Sequence, residues 1–219
     1  FNRIVQAWIS KYQSLGYIGG RIAIDNLTED EKSYIGGLLG LDLTRGKLSI
    51  TYQEFLKKIA KTRFEGADFL TVLHLINGKP IQTKQALKLQ EQELLEVFQN
   101  RLKMLYKDTL AYNWLIYYFE TDHRHFIRNY REDKAKCQQV LESVCSLLNQ
   151  LPCFSNDFEQ LAILAQKFTN NPHFFDEEST RDLLRKGISY LLEINEEYST
   201  NEILNQAGIL RDELSNFCY

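Results

Sequence analysis

Six cations crowd one short stretch of this chain. Between residues 42 and 64 stand Arg45, Lys47, Lys57, Lys58, Lys61 and Arg63 against Asp42 and Glu54, a local balance of +4. Lys57, Lys58 and Lys61 share one side of a helix at that spacing, the arrangement that contacts phosphates without regard to base sequence. The competing reading is a solvated lysine face on an amphipathic helix. A second cluster, Asp122-His123-Arg124-His125, offers two imidazoles. Residues two apart on a helix point away from each other, whereas a zinc pair needs i, i+4 spacing, and no third ligand follows. Surface or interface histidines are therefore expected. The aromatics from Tyr106 to Tyr130 could stack on bases, but at helical spacing they read as core.

The last part of the chain is acidic. From His173 to Tyr219 there are ten Asp and Glu against four Lys and Arg. Paired acids suggest metal-dependent nuclease chemistry, yet these fall where helix caps and exposed faces are expected, and a solvated surface is the simpler account. The glycine pairs Gly19-Gly20 and Gly36-Gly37 lack the spacing and partners of a phosphate-binding loop or dinucleotide fingerprint, and no Ser/His/Asp elbow is present. No catalytic constellation is found.

The elements that must position these residues are mostly helices. Phe1, Ile4, Val5, Trp8, Ile9, Tyr12 and Leu15 recur at helical spacing, with Gly16 as a C-cap. Arg21–Ile24 is expected as a strand. Thr28 N-caps a helix with Glu29, Asp30 and Glu31 in its first turn, ending at Gly40. Residues 47–50 are expected as a second strand. Thr51 with Glu54 forms a capping box for the lysine-bearing helix. Asp68 opens a short helix that ends at Asn77-Gly78. From Thr83 onward the pattern is helical: 84–107 with Leu87, Leu94, Val97, Phe98, Leu102 and Leu105 as its apolar stripe, then 110–130, 133–150, a helix from Asp157 to about Phe168, 176–193 and 200–206. The expected fold class is mainly α: a small α+β unit over 1–80, compatible with a winged-helix-like arrangement of two short strands, then a helical array over 81–219.

Bulk properties narrow the classes. The chain has 219 residues, 44% hydrophobic and 25% charged, the proportions of a globular protein able to bury a core without disulfides or metals. A net charge of −3 argues against a protein that coats nucleic acid over its whole surface, but not against a local basic patch. Cys137, Cys145, Cys153 and Cys218 read as free thiols in a reducing compartment. No run approaches the ~18 apolar residues of a membrane span, and no signal peptide opens the chain, so a cytoplasmic location is expected. With Phe at position 1 and its one methionine at 104, the sequence reads as a piece of a longer protein.

Three stretches, in order, carry a resemblance. The first runs from Ser14-Leu15-Gly16-Tyr17-Ile18-Gly19-Gly20 through Asn26-Leu27-Thr28-Glu29-Asp30-Glu31 to Gly36-Gly37-Leu38-Leu39-Gly40. The second is Thr62-Arg63-Phe64-Glu65-Gly66. The third joins Leu161-Ala162 to Asn171-Pro172-His173-Phe174-Phe175-Asp176, with Gly208-Ile209-Leu210-Arg211-Asp212-Glu213-Leu214-Ser215 beyond. Together they resemble the N-terminal region of a bacterial family whose C-terminal half is Toprim-like, similar to the JetD nuclease subunit of Wadjet plasmid-defence systems. The resemblance implies a parent protein that cuts double-stranded DNA extruded by an SMC-type ATPase complex with accessory subunits. It places the metal-binding carboxylates, and the Mg or Mn they hold, in a Toprim part beyond Tyr219. This part is then expected to be non-catalytic and cofactor-free, a DNA-positioning and partner-docking module; a protein-interaction scaffold without DNA contact is the alternative, and homodimerisation is left open. The DNA-contacting residues expected are Arg45, Lys47, Lys57, Lys58, Lys61 and Arg63. His173 and Asp176 match the family stretch Pro-His-x-x-Asp, with Asp176 read as the N-cap of a helix starting near 176 and His173 as packing or hydrogen-bonding locally; a role in docking DNA or the Toprim domain is the alternative.

Overall fold

In a computed structural model of the protein, residues 2–61, 68–195 and 197–211 are described. The chain divides into two compact units, Phe1–Leu95 and Glu96–Tyr219. Eleven α-helices and four short strands occur among the described residues, so the fold is mainly α with a small β part.

In the N-terminal unit, α1 (Asn2–Leu15) buries Ile4, Val5, Trp8 and Ile9, one stripe at helical spacing. Strands β1 (Arg21–Ile24) and β2 (Leu48–Thr51) pair antiparallel, Ile22 opposite Ile50 and Ile24 opposite Leu48. Those four side chains are the buried set, and Arg21, Ala23 and Ser49 on the alternate face stay exposed. The second strand begins one residue later than the sequence pattern suggested. Between the strands lies α2 (Glu29–Leu39). Thr28 and Glu31 satisfy each other's backbone N–H groups at its start, and Gly40 closes it in the left-handed region at φ 57°. After β2 come α3 (Tyr52–Ile59) and α4 (Phe69–Asn77), both capped as expected, by Thr51 and Asp68. Trp8 is the hub of this core, its ring centroid 5.5 Å from Tyr52, 5.7 Å from Phe55 and 6.4 Å from Phe69.

Helix α5 (Lys84–Leu105) contains the division between the units. Its expected apolar stripe is only partly covered. Phe98 and Leu102 are buried, whereas Leu87 (46% exposed), Leu94, Val97 (66%) and Leu105 face solvent. Spacing identified the helix but could not say which of its leucines would find a neighbour.

The C-terminal unit is an array of helices: α6 (Leu110–Thr121), α7 (His123–Glu132), α8 (Lys134–Leu148), α9 (Leu161–Thr169), α10 (Glu178–Leu191) and α11 (Thr200–Gln206). The aromatic cluster is core rather than an open stacking platform. Phe126 is fully buried among Phe98, Phe119, Tyr118 and Tyr130, with ring centroids 4.7–6.2 Å away. Burying each such ring contributes about 1.5–3 kcal/mol. Gly187 lets α10 approach closely, since a Cβ there would lie 2.7 Å from Leu148 Cδ1 and 3.3 Å from Trp114.

Three sequence expectations need correction here. The run 110–130 is two helices, because the backbone turns at Asp122, whose carboxylate accepts from Lys186 Nζ at 2.9 Å. The helix expected from Asp157 begins at Leu161. Residues 159–160 form β3 (Glu159–Gln160), which pairs in parallel with β4 (Ile209–Leu210), a strand the sequence pattern did not signal. Tertiary pairing overrides the local helix-start signal. Finally, Asp176 does not cap α10; it ends a 3-10 turn over Phe174–Asp176, and Glu177 takes the N-cap position.

Candidate nucleic-acid interface

The lysine-rich segment is built on a short, well-fixed helix. Phe55 anchors α3 in the core, and the Thr51–Glu54 box satisfies its first turn. Hydrogen bonds from Thr51, through its side chain and then its backbone, hold the Glu54 carboxyl below the usual range. Lys57 is exposed near the C-terminal end of α3, and Lys61 is exposed in the turn that follows, where Lys61 N donates to Lys58 O. Lys58 is half-buried and donates from Nζ to the carbonyl of Gly40 at 3.3 Å, so it ties α3 to the end of α2. Arg45 lies exposed in the turn before β2, and Lys47 pairs with Asp25 at 3.4 Å. The segment thus separates into exposed lysines at 57 and 61, one structural lysine at 58, and Lys47 with a carboxylate partner of its own. Arg63 lies outside the described residues, as does the stretch from Thr62 to Gly66.

His173 and Asp176 meet directly, Nδ1 to Oδ2 at 2.8 Å, with side chains 80% and 67% exposed. Asn171 Oδ1 accepts from the backbone N–H of His173. The pair closes a surface turn. His173 thus bonds locally, through a partner that caps no helix.

The C-terminal unit also holds a cleft of about 360 Å³ between α7, α8 and the start of α10, with His125, Arg128, Lys136, Cys137, Glu177 and Thr180 in its wall. Two of its charges compensate each other. Lys136 and Glu177 pair at 2.8 Å, which raises the lysine and lowers the carboxyl relative to their ordinary values. Burial pushes the Cys137 thiol up to about 11, so it stays protonated at neutral pH rather than forming a nucleophilic thiolate. Cys145 is buried too, and its thiol is likewise pushed up by burial. Among the described residues no three His, Cys, Asp or Glu side chains converge as a metal site, and no helix is long and apolar enough to cross a membrane.

Sequence reasoning passed over one feature. Helix α7 carries Arg124, Arg128 and Arg131, exposed at steps of four and three. The signal is present in the sequence as an i, i+4, i+7 arginine pattern interleaved with the two histidines. His123 is exposed and His125 half-buried with Nδ1 3.9 Å from Asp122 Oδ2.

A mainly helical chain with a two-stranded β1–β2 element and local basic faces is the class these observations define. Residues 18–219 match the family described as "Protein of unknown function N-terminus" (DUF3323), and the chain belongs to that family. No curated protein matches it, and no solved structure does.

Proposed function

We propose that this chain is the non-catalytic N-terminal part of a Toprim-type DNA nuclease, similar to the JetD subunit of Wadjet, acting in an SMC-linked anti-plasmid defence system. Its task is to position double-stranded DNA and to dock the SMC-type ATPase complex and its accessory subunits. The Mg or Mn for cleavage belongs to Toprim carboxylates outside this sequence, and no chemical step is assigned to the residues described here.

The observation that carries the DNA-positioning reading is the pair of exposed lysines, Lys57 and Lys61, at the end of a helix anchored by Phe55 and a complete capping box. The end of a fixed helix, with Lys57 on it and Lys61 in the turn that follows, can offer those cations to neighbouring phosphates. Membership of a family defined as an N-terminus supports the assignment to a larger protein. In a salt titration of a fluorescent duplex, wild-type affinity is expected to fall steeply with salt, and Lys57→Glu/Lys61→Glu is expected to weaken binding strongly. Lys58 is best left intact, because its bond to Gly40 is structural. Binding that is unaffected by the double charge reversal would refute the lysine face.

A second reading, an interaction scaffold without DNA contact, is favoured by Val97 and Met104, exposed at i, i+7 in the part of α5 that belongs to the C-terminal unit, with Leu105 exposed beside Met104. Absence of duplex binding at low salt would select it.

A further inference from the structure

Arg124 and Arg128, in the arginine row on α7, ask for an explanation that packing does not supply. The opposite face of α7 holds Phe126 and Tyr130 in the aromatic core, so the helix is fixed and the row points outward on a rigid support. Arg124 is the second residue of α7, and the first turn contains no acid. Cations there oppose the helix macrodipole, which favours negative charge at an N-terminus. The lysines of α3 pose no such question, because the last turn of a helix is where cations are stabilised.

Nearby carboxylates do not relieve the cost. Asp122, at the N-cap of α7, makes no capping bond and is taken by Lys186 at 2.9 Å. Asp133 caps α8 by accepting from Lys136 N at 2.9 Å. Among the described residues neither Arg124 nor Arg128 forms an ion pair, although the C-terminal unit carries 19 Asp and Glu against 13 Lys and Arg. From Arg124 to Lys136 the sign is reversed, five cations against Glu132 and Asp133. Arg124, Ile127, Arg128 and Arg131 line a shallow groove along the helix, with Glu132 at its far end. Arg124 and Arg128 are separated by about 6 Å of rise along the axis. Guanidinium groups present a planar fork suited to phosphate oxygens, which an ammonium lacks.

We infer that the α7 arginine row is a second DNA-contacting surface, taking the phosphate backbone of duplex DNA through Arg124 and Arg128. The inference rests on the DNA-positioning reading and adds to it a surface in the other, acidic unit. Contact is with phosphates, so it confers position and not sequence preference.

The test is anisotropy of a labelled duplex against the whole chain over a salt series, with wild type, Arg124→Ala/Arg128→Ala and Lys57→Glu/Lys61→Glu in parallel. Loss of two phosphate contacts should make the log–log salt slope shallower by about 1.8, so a fourfold rise in salt costs the arginine variant roughly twelvefold less affinity than wild type. Arg124→Lys/Arg128→Lys keeps the charges and should keep the slope while binding more weakly. A wild-type slope and affinity in the alanine variant would overturn the inference and leave the lysine face standing. Loss of binding in the arginine variant with none in the lysine variant would establish the row and remove the lysine face. A wild type that does not bind at low salt would overturn both. All four arginine substitutions are at exposed positions, and a thermal melt checks that each variant is folded.

Discussion

Helices α3 and α7 present positive charge in opposite ways. In α3 the cations gather at the C-terminal end, the first turn holds Glu54, and the N-cap is complete. Every charge there lies where the helix itself would place it. In α7 the first turn carries His123, Arg124 and His125 and no acid, and the N-cap carboxylate of Asp122 makes no capping bond, lying 2.9 Å from Lys186 Nζ and 3.9 Å from His125 Nδ1. Their surroundings differ in the same sense: the N-terminal unit has 13 Lys and Arg against 10 Asp and Glu, the C-terminal unit 13 against 19. A basic face in a basic unit can be explained by solubility and the helix dipole alone. One whose leading arginine, Arg124, opposes the local dipole, and whose sign opposes the charge of its unit, is better evidence for an anionic partner. By this criterion α7 carries more functional information than α3, although the lysines are the more conspicuous feature of the sequence.

The comparison would break most severely if α7 lost its support. Phe126 is fully buried and is surrounded by four rings, so Phe126→Ala should cost about 3–5 kcal/mol, read as a fall in the denaturant midpoint. Where the variant remains folded, the arginine row should also lose its fixed geometry and the DNA affinity proposed for it. A loss below 1 kcal/mol would mean that α7 is not anchored as described, and the contrast with α3 would fail.

A smaller effect tests the packing beneath α7's neighbours. Gly187→Ala brings a methyl to 2.7 Å from Leu148 Cδ1, and overpacking of this kind typically costs about 1–3 kcal/mol. Chemical denaturation should show the loss while helicity is retained. A neutral result would show that Leu148 can rotate away, and that α8 and α10 are less tightly interlocked than the close approach implies.

These elements also show how far sequence alone could go. Helices announced themselves where local chemistry and periodicity agree: Thr28 with Glu31, Thr51 with Glu54, Asp68 before α4, Gly40 after α2. The same chemistry misled wherever a distant partner intervened. Asp157 resembles an N-cap, yet Glu159 N donates to Gly208 O, 49 positions along the chain, and the helix waits until Leu161. Asp122 gave no sign of a break between α6 and α7, because Lys186 is 64 positions away. Leu87 and Val97 fit an apolar stripe, but periodicity does not say whether a stripe is covered. The lysine segment was legible as a charge cluster, while the division of labour within it, Lys58 bonding Gly40 and Lys47 bonding Asp25, depends on contacts no spacing encodes.

The finest distinction between the two helices is the cap itself. Thr51→Ala removes the acceptor for Glu54 N and the hydroxyl donor to the Glu54 carboxylate. Losing such a cap costs about 1 kcal/mol at neutral pH. The effect should depend on pH in a definite direction. Hydrogen bonds from Thr51 depress the folded-state pKa of Glu54, so this contribution is fully present above the ordinary glutamate range and is lost as pH falls through the lower, folded value. The stability gap between wild type and Thr51→Ala should therefore narrow on acidification across that window and be constant above it. A gap that stays the same down to strongly acidic pH would show that the hydroxyl acts without the carboxylate. The lysine helix would then rest on Phe55 packing, as α7 rests on Phe126, and the contrast in their construction would reduce to the placement of charge.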